Sequence, residues 1–440
     1  MKKILLIIYI LLPLANICAQ QHTMTLPECL QIGLQQNFDI RLSRNAEQIA
    51  KNNATLANAG FLPSLDASAS YTGANATTET TVRENGSVTT GGGAWNQTLN
   101  AGIDLTWTLF DGFRIVATYD RLKELRQQGE TNTRIAIEDL IANLTAEYYN
   151  YIQQQIRLNN LRYAVTLSRE RLRIVEARYN IGNFSRLDLQ QARVDFNADS
   201  SSYMKQQELL STSRINLNEL MANTQVDASL AIADTVIDIN TELKLGDMME
   251  GMLMTNSSLI RAQQNKTLAE LDMKSVLSRN YPYLRLNSGY DYGLTKYGTG
   301  TNSKYSTRGF TAGVTIGVNL FDGNRARERR NARIAIDNAA LQRQQLELSL
   351  KAEVANLWQA YQNNLEVWKL EQDNLVAAKE NYDIAMERYM IGDLSGFEMR
   401  EAQKSLLDAE ERILTAAYDT KLCEISLLQI SGQITDYLQK

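Results

Sequence analysis

The chain carries the same unit twice, and a duplicated unit restricts the possible fold more than any single motif does. The stretch RYNIGNFSRLDLQQAR at 178–193 returns as RYMIGDLSGFEMREAQ at 388–403, 210 residues later. Upstream, Leu109-Phe110-Asp111-Gly112 matches Leu320-Phe321-Asp322-Gly323 at a spacing of 211. Earlier still, Leu34 and Leu253, Asn37 and Asn256, Pro63 and Pro282, and Tyr71 and Tyr290 are each 219 apart. The offset thus falls by eight between the tyrosines and the LFDG runs. A length difference confined to one segment marks an exposed loop. The halves run from 20 to 222 and from 245 to 432, with a linker at 223–244 and a C-terminal tail at 433–440.

Residues 1–19 read as a secretory signal peptide: Lys2 and Lys3 lead an apolar run from Ile4 to Leu14, and small residues end at Ala19. Cys18 would suit a lipoprotein, but Ile17 stands where a small residue is wanted. Beyond that segment, Cys29 and Cys423 either pair or stay as two isolated buried thiols. His22 is the only histidine, and no Cys/His cluster or HExxH run accompanies it, so no metal site is expected. Nothing assembles a nucleophile, a base and an orienting group, so neither catalytic residues nor a cofactor is expected, and the chain does not read as an enzyme. A net charge of -5, a pI near 5.3 and the lack of a basic tract argue against nucleic acid as a partner. No run of 18 apolar residues follows the leader, so any membrane insertion must use strands.

Each half has one order of elements. A helical stretch (26–58, then 245–279) ends at FLPS or NYPY, because proline disfavours helix at the residue before it. A β-hairpin follows (64–110, then 283–321). In LNAGIDLTWTLF, Leu99, Ala101, Ile103, Leu105, Trp107 and Leu109 share one face, and Asn100, Asp104, Thr106 and Thr108 share the other. FTAGVTIGVNLF repeats that alternation through Leu320. Such strands suit either a soluble sandwich or a membrane barrel that is apolar toward lipid and polar toward a wet lumen. Two features favour the barrel. The segment TGANATTETTVRENGSVTTGGGA reads as a long polar loop, and Tyr71, Trp95, Trp107, Tyr281, Tyr283, Tyr290 and Tyr292 lie near strand ends, as in an interfacial aromatic girdle.

Long helices come next (113–180 and 324–391), each followed by a return helix (185–222 and 395–431). Val354, Leu357, Tyr361, Leu365 and Trp368 recur at steps of three and four, a coiled-coil stripe amid Gln, Asn, Arg and Glu. A seam this narrow cannot enclose a globular core, so these helices need neighbours on both flanks. Four strands cannot close a barrel either, since closed bacterial barrels have at least about eight. Several copies must therefore contribute. Three copies would give about 12 helix positions, hence a tube roughly 38 Å wide between helix axes.

Paired halves, each with a hairpin ending in LFDGxR and a long helix ending in RYxIG, resemble the TolC-like outer membrane efflux proteins, or outer membrane factors. The resemblance covers nearly the whole chain beyond residue 19. It implies an α+β membrane protein assembled as a homotrimer. A 12-stranded transmembrane β-barrel, about four strands from each chain, would continue into a long antiparallel α-helical coiled-coil barrel. It also implies a place in the cell outer membrane, in contact with outer membrane lipid and extending into the periplasm. The implied partners are a periplasmic adaptor (membrane fusion) protein and an inner-membrane transporter. The implied role is that of a passive exit duct for drugs or other small molecules. Alternatives are the exit duct of a type I protein secretion system, or a coiled-coil surface protein without a pore.

The repeated turn has a local explanation. Gly182 and Gly392 suit the left-handed position that ends a helix. Ser185 with Asp188, and Ser395 with Glu398, then have capping-box spacing. The resemblance adds a periplasmic mouth at these reversals, where the adaptor would dock. It carries acidic rings onto Glu398 and Glu401, and a closing tie onto Tyr389 and Asp188. The arginine usual two places after the second glycine is here Leu394, with Arg186 and Arg400 as nearby substitutes. Finally, Arg325, Arg327, Arg329 and Arg330 read either as a solvated helix start or as a contact to lipid headgroups.

Overall fold

The computed structural model describes residues 23–81, 88–298 and 303–438. The signal peptide read at 1–19, with Cys18, and also His22 lie outside the described residues. The chain divides into two compact units, one built from residues up to 38, 137–252 and 352–440, the other from 39–136 and 253–351.

The second of these units holds a four-stranded antiparallel sheet of β1 (Ser64–Thr81), β2 (Val88–Asp111), β3 (Tyr283–Lys296) and β4 (Lys304–Gly317), in sequential order. The pairing aligns Ala67, Ile103, Tyr290 and Phe310 in one row across all four strands. The next row pairs Asp66 with Asp104, Gly289 and Thr311 on the opposite face. Alternation therefore puts apolar side chains on one surface and polar ones on the other. The apolar surface is open: Leu65 is 69% exposed, Phe310 71% and Ile316 76%.

Two strand limits differ from the expectation. The Gly/Thr/Asn-rich segment read as a loop is mostly strand, with pairing carried out to Thr81 and Val88 past a bulge at Ala76/Thr78. Backbone ladders need no apolar residues, and threonine favours strands. Conversely, β4 ends at Gly317 although the alternation runs on to Leu320.

Helices flank this sheet in sequence. The leading stretches are each interrupted, giving α1 (Leu26–Gln36), α2 (Phe38–Asn53) and α3 (Leu56–Ala59), then α6 (Leu245–Thr255) and α7 (Ser257–Ser278) after α4 (Arg114–Asn180) and α5 (Arg186–Leu220). The breaks fall at the repeat-related Asn37 and Asn256. Asn256 accepts from the amide of Leu259 at 3.0 Å, while the Asn37 amide group donates to Leu220 O at 3.1 Å. Asparagine competes for backbone hydrogen bonds in this way, so it favours caps over helix interiors. After β4 come α8 (Arg325–Ile391), α9 (Gly396–Ile430) and a 3-10 helix, Ile434–Leu438.

The other unit takes its core from α1, α4, α5 and α9. Leu30, Ile141, Leu144, Tyr148, Ile152, Leu217 and Leu427 are almost fully buried there. In the α8 stripe, Val354 and Tyr361 are buried, and Leu357, Leu365 and Trp368 are half-buried. The linker is pinned rather than loose. Tyr148 donates to Asp234 at 2.7 Å, and Tyr151 donates to Leu230 O at 3.1 Å. A buried Glu424 receives Lys421 at 2.8 Å, the Asn240 amide at 3.0 Å and the Tyr437 hydroxyl at 2.6 Å. The tail thus docks through Tyr437. Cys29 and Cys423 do not pair, and burial pushes the Cys29 thiol up to about 12.

Candidate functional site

Both helix reversals have the same local chemistry. Gly182 and Gly392 sit at φ of +83° and +87°, the left-handed region that a side chain resists. Two hydrogen bonds close each helix end: Gly182 N to Tyr179 O at 3.0 Å with Asn183 N to Arg178 O at 2.9 Å, and Gly392 N to Tyr389 O at 3.1 Å with Asp393 N to Arg388 O at 3.0 Å. This is a Schellman-type ending. Each return helix then starts on a reciprocal cap. Ser185 Oγ accepts from the Asp188 amide at 3.2 Å, and the Asp188 carboxylate accepts from the Ser185 amide at 2.9 Å and its hydroxyl at 2.7 Å. Ser395 and Glu398 repeat this at 3.2, 3.0 and 2.7 Å. The serine hydroxyls, and then the backbone amides, hold both carboxyls below their ordinary range. Glu401 lies one turn further along α9 and is exposed.

Beyond the caps the two reversals diverge. Tyr389 is 1% exposed, in a cluster with Tyr382, Ala385, Met399, Ala402 and Leu406. Burial raises its pKa, opposed by the nearby Arg171 and Arg178. Its hydroxyl has no hydrogen-bond partner, so within one chain Tyr389 and Asp188 form no direct tie. Tyr382 Oη and Arg171 Nε are likewise buried and unpartnered. These three residues line one void of about 10 Å³, roughly the room one water needs.

Near Leu394 it is Arg178, on α4, that reaches the second reversal. It donates to Met390 O at 3.1 Å and Tyr389 O at 3.4 Å, and it lies over the rings of Phe184 and Tyr389 at 5.4 and 5.6 Å. One guanidinium thereby connects the two reversals. Arg400 is committed elsewhere, forking onto Asp199 of α5 with two contacts of 2.7 Å. Ser168 also donates to Asp199, and Arg171 pairs with Asp195, which receives Gln191 at 2.9 Å. Gln403 reaches Ser168 at 3.3 Å, so a buried polar seam joins α4, α5 and α9. Spacing could not reveal these residues: Arg178 and Met390 are 212 apart, Arg400 and Asp199 are 201 apart.

Two pairs of long helices per chain, with one open, amphipathic four-stranded sheet, are the architecture of a channel-type outer membrane subunit. The chain belongs to the outer membrane efflux protein family, whose profile matches residues 29–223 and 251–433. It is 22% identical over 346 residues to outer membrane protein TolC of Vibrio cholerae, covering 77% of each chain. It is 23% identical over 423 residues to the cation efflux system protein CusC of Escherichia coli O157:H7, covering 91% of this chain and 84% of that one. Its fold superposes on the CmeC outer membrane channel of Campylobacter jejuni with a TM-score of 0.77 at 18% identity, over 93% of this chain and 85% of CmeC. The protein is accordingly an outer membrane protein of the TolC-like channel fold.

Proposed function

We propose that three copies of this chain form the outer membrane exit channel of a tripartite efflux system, a passive duct for small molecules that meets a periplasmic adaptor and an inner-membrane transporter. The observation that carries this reading is the sheet. Its outer strands β1 and β4 each have one neighbour within the chain, and its apolar surface is exposed. In hydrocarbon an unpaired edge costs several kcal/mol per backbone group, so four strands need sister strands on either side. Three such sheets reach a strand number at which closed barrels occur. Family membership supports the same assignment, and the transporter would set the substrate.

In this reading the reversals at Gly182–Ser185 and Gly392–Ser395 form the mouth that the adaptor contacts. Glu398 and Glu401 ring its entrance, with Tyr389 and Asp188 in the closing contacts. Reconstitution into a planar lipid bilayer tests both levels. The wild-type protein should conduct ions as a trimer and be blocked from the mouth side by multivalent cations. Glu398→Ala combined with Glu401→Ala should keep the pore and lose most of the block. A pore that needs no sister chain would overturn the duct; block unchanged in the double variant would overturn the acidic ring alone.

A further inference from the structure

The start of α8 differs from its counterpart in the first half. There, at 114–122, the sequence is RIVATYDRL, with two arginines against one aspartate. Two of its apolar members are packed: Tyr119 meets Phe61 edge-on at 5.9 Å, and Ile115 lies against Gly60. At 325–333, 211 residues on, the sequence is RARERRNAR, with five arginines against one glutamate and hence a net +4. Arg327, Arg329 and Arg330 stand where Val116, Thr118 and Tyr119 stand in the first half.

This charge is not neutralised locally. Glu328 is taken by Arg279 at 2.6 Å, and Arg325 donates to Asn319 O at 2.6 Å. Arg327, Arg329, Arg330 and Arg333 are exposed, and among the described residues they form no ion pair. Their spacing sets like charges three and four residues apart, which destabilises a helix. They also crowd a helix N-terminus, where the dipole opposes cations. Within the chain the cluster is therefore unfavourable, and an anionic partner outside it would offset the repulsion.

The neighbouring residues indicate which partner. Directly before the arginines, Ile316 is 76% exposed, Val318 50%, Leu320 90% and Phe321 87%. Within about ten residues the chain passes from bare hydrocarbon-seeking side chains to bare guanidinium groups. That order matches the passage from acyl chains to phosphates at a bilayer surface. We propose that this junction is a docking surface for anionic phospholipid headgroups. Leu320 and Phe321 sit at the acyl boundary, and Arg327, Arg329, Arg330 and Arg333 fork onto the phosphodiesters. Arginine suits the task because its planar donors grip phosphate in pairs. The inference needs only the outer membrane location, so it does not stand or fall with the tripartite assignment.

Nanodiscs containing the full-length protein and spin-labelled phosphatidylglycerol or phosphatidylcholine give the relative affinity of the protein's boundary for each lipid. The wild-type protein should prefer phosphatidylglycerol by about fivefold or more at low salt, and the preference should shrink as salt rises. Replacing Arg327, Arg329, Arg330 and Arg333 together by alanine should bring the ratio near one, while lysine at all four should keep part of it. Should the fourfold alanine variant fail to assemble, Arg330→Gln alone should still lower the ratio. Indifference of the wild-type protein to phosphatidylglycerol, or an undiminished preference in the alanine variant, overturns the proposal. Wild-type indifference together with loss of the oligomer in the alanine variant would in addition assign the arginines to acids of a second copy. Bilayer conductance measured alongside reports separately on the duct.

Discussion

At the first reversal Tyr179 is 37% exposed, whereas at the second its counterpart Tyr389 is 1% exposed. Their neighbours Arg178 and Arg388 also part company. Arg388 stays within its own turn, bonded to Asp393 at 2.9 Å, while Arg178 crosses to the carbonyl oxygens of Met390 and Tyr389. The caps, by contrast, agree to within about a tenth of an ångström in every distance. Turn chemistry is set by a few consecutive residues, so duplication preserves it. Lateral contacts depend on which helices lie alongside, and those differ for the two copies of one repeat. The second hairpin is thereby fastened to the first at Arg178 and Arg400, using residues whose repeat partners, Arg388 and Gln190, do nothing comparable.

The sharpest way to break this comparison is to give the second copy the first copy's residue. Gln190 occupies the position that Arg400 has in the other repeat, and it is exposed. Arg400→Gln would leave Asp199, 7% exposed, without its guanidinium. Removing one partner of a buried pair costs about 3 kcal/mol. The reciprocal Gln190→Arg should change stability by less than about 0.5 kcal/mol. Denaturant midpoints of the two variants should differ accordingly; equal shifts would mean that the seam does not distinguish the repeats.

A smaller effect is expected at the bridging arginine. Arg178→Gln removes charge-assisted hydrogen bonds to two carbonyl groups of the other reversal, worth about 1 kcal/mol at a half-exposed site. Arg388→Gln loses only an exposed ion pair, worth less than about 0.5 kcal/mol. If the reversals gate a duct, Arg178→Gln should also raise single-channel conductance while Arg388→Gln leaves it unchanged. Matching conductance traces from the two variants would remove Arg178 from any gating role.

Much of the fold could be read from the chain because its causes are local. Alternation placed Ile103 and Phe310 on one face, and the absence of proline allowed helices of 67 residues. The Gly–Ser–acid spacing encodes both caps, since every partner lies within five residues. What could not be read has non-local causes. Arg400 meets Asp199 only because α9 lies beside α5, and nothing in either stretch encodes that proximity. The polar segment between Thr72 and Ala94 reads as a loop because strand extension there comes from pairing rather than from hydrophobicity. The guanidinium that faces Tyr389 comes from Arg178, 211 residues away in the first repeat, and no local spacing marks it.

The finest test of the symmetry uses acid. In the single chain, hydrogen bonds from Ser185 and Ser395 lower the pKa of Asp188 and Glu398. A carboxyl whose folded pKa is depressed stabilises the structure above its unfolded value, near 4, and that contribution is lost as pH falls through the folded pKa. Protection of the Ser185 and Ser395 amides, each held by its carboxylate, should therefore stay level from pH 7 to about 5 and fall only below about 4. Hydrogen exchange corrected for intrinsic rates can follow both amides in the assembled protein. Coincident transitions mean that both acids act as caps and nothing more. A ring of Glu398 and Glu401 from sister copies would disfavour ionisation and raise the pKa of the second site alone. The Ser395 amide would then lose protection at a higher pH than the Ser185 amide, and Glu401→Gln should bring the two transitions back together. Separation that survives Glu401→Gln would place the cause outside the acidic pair.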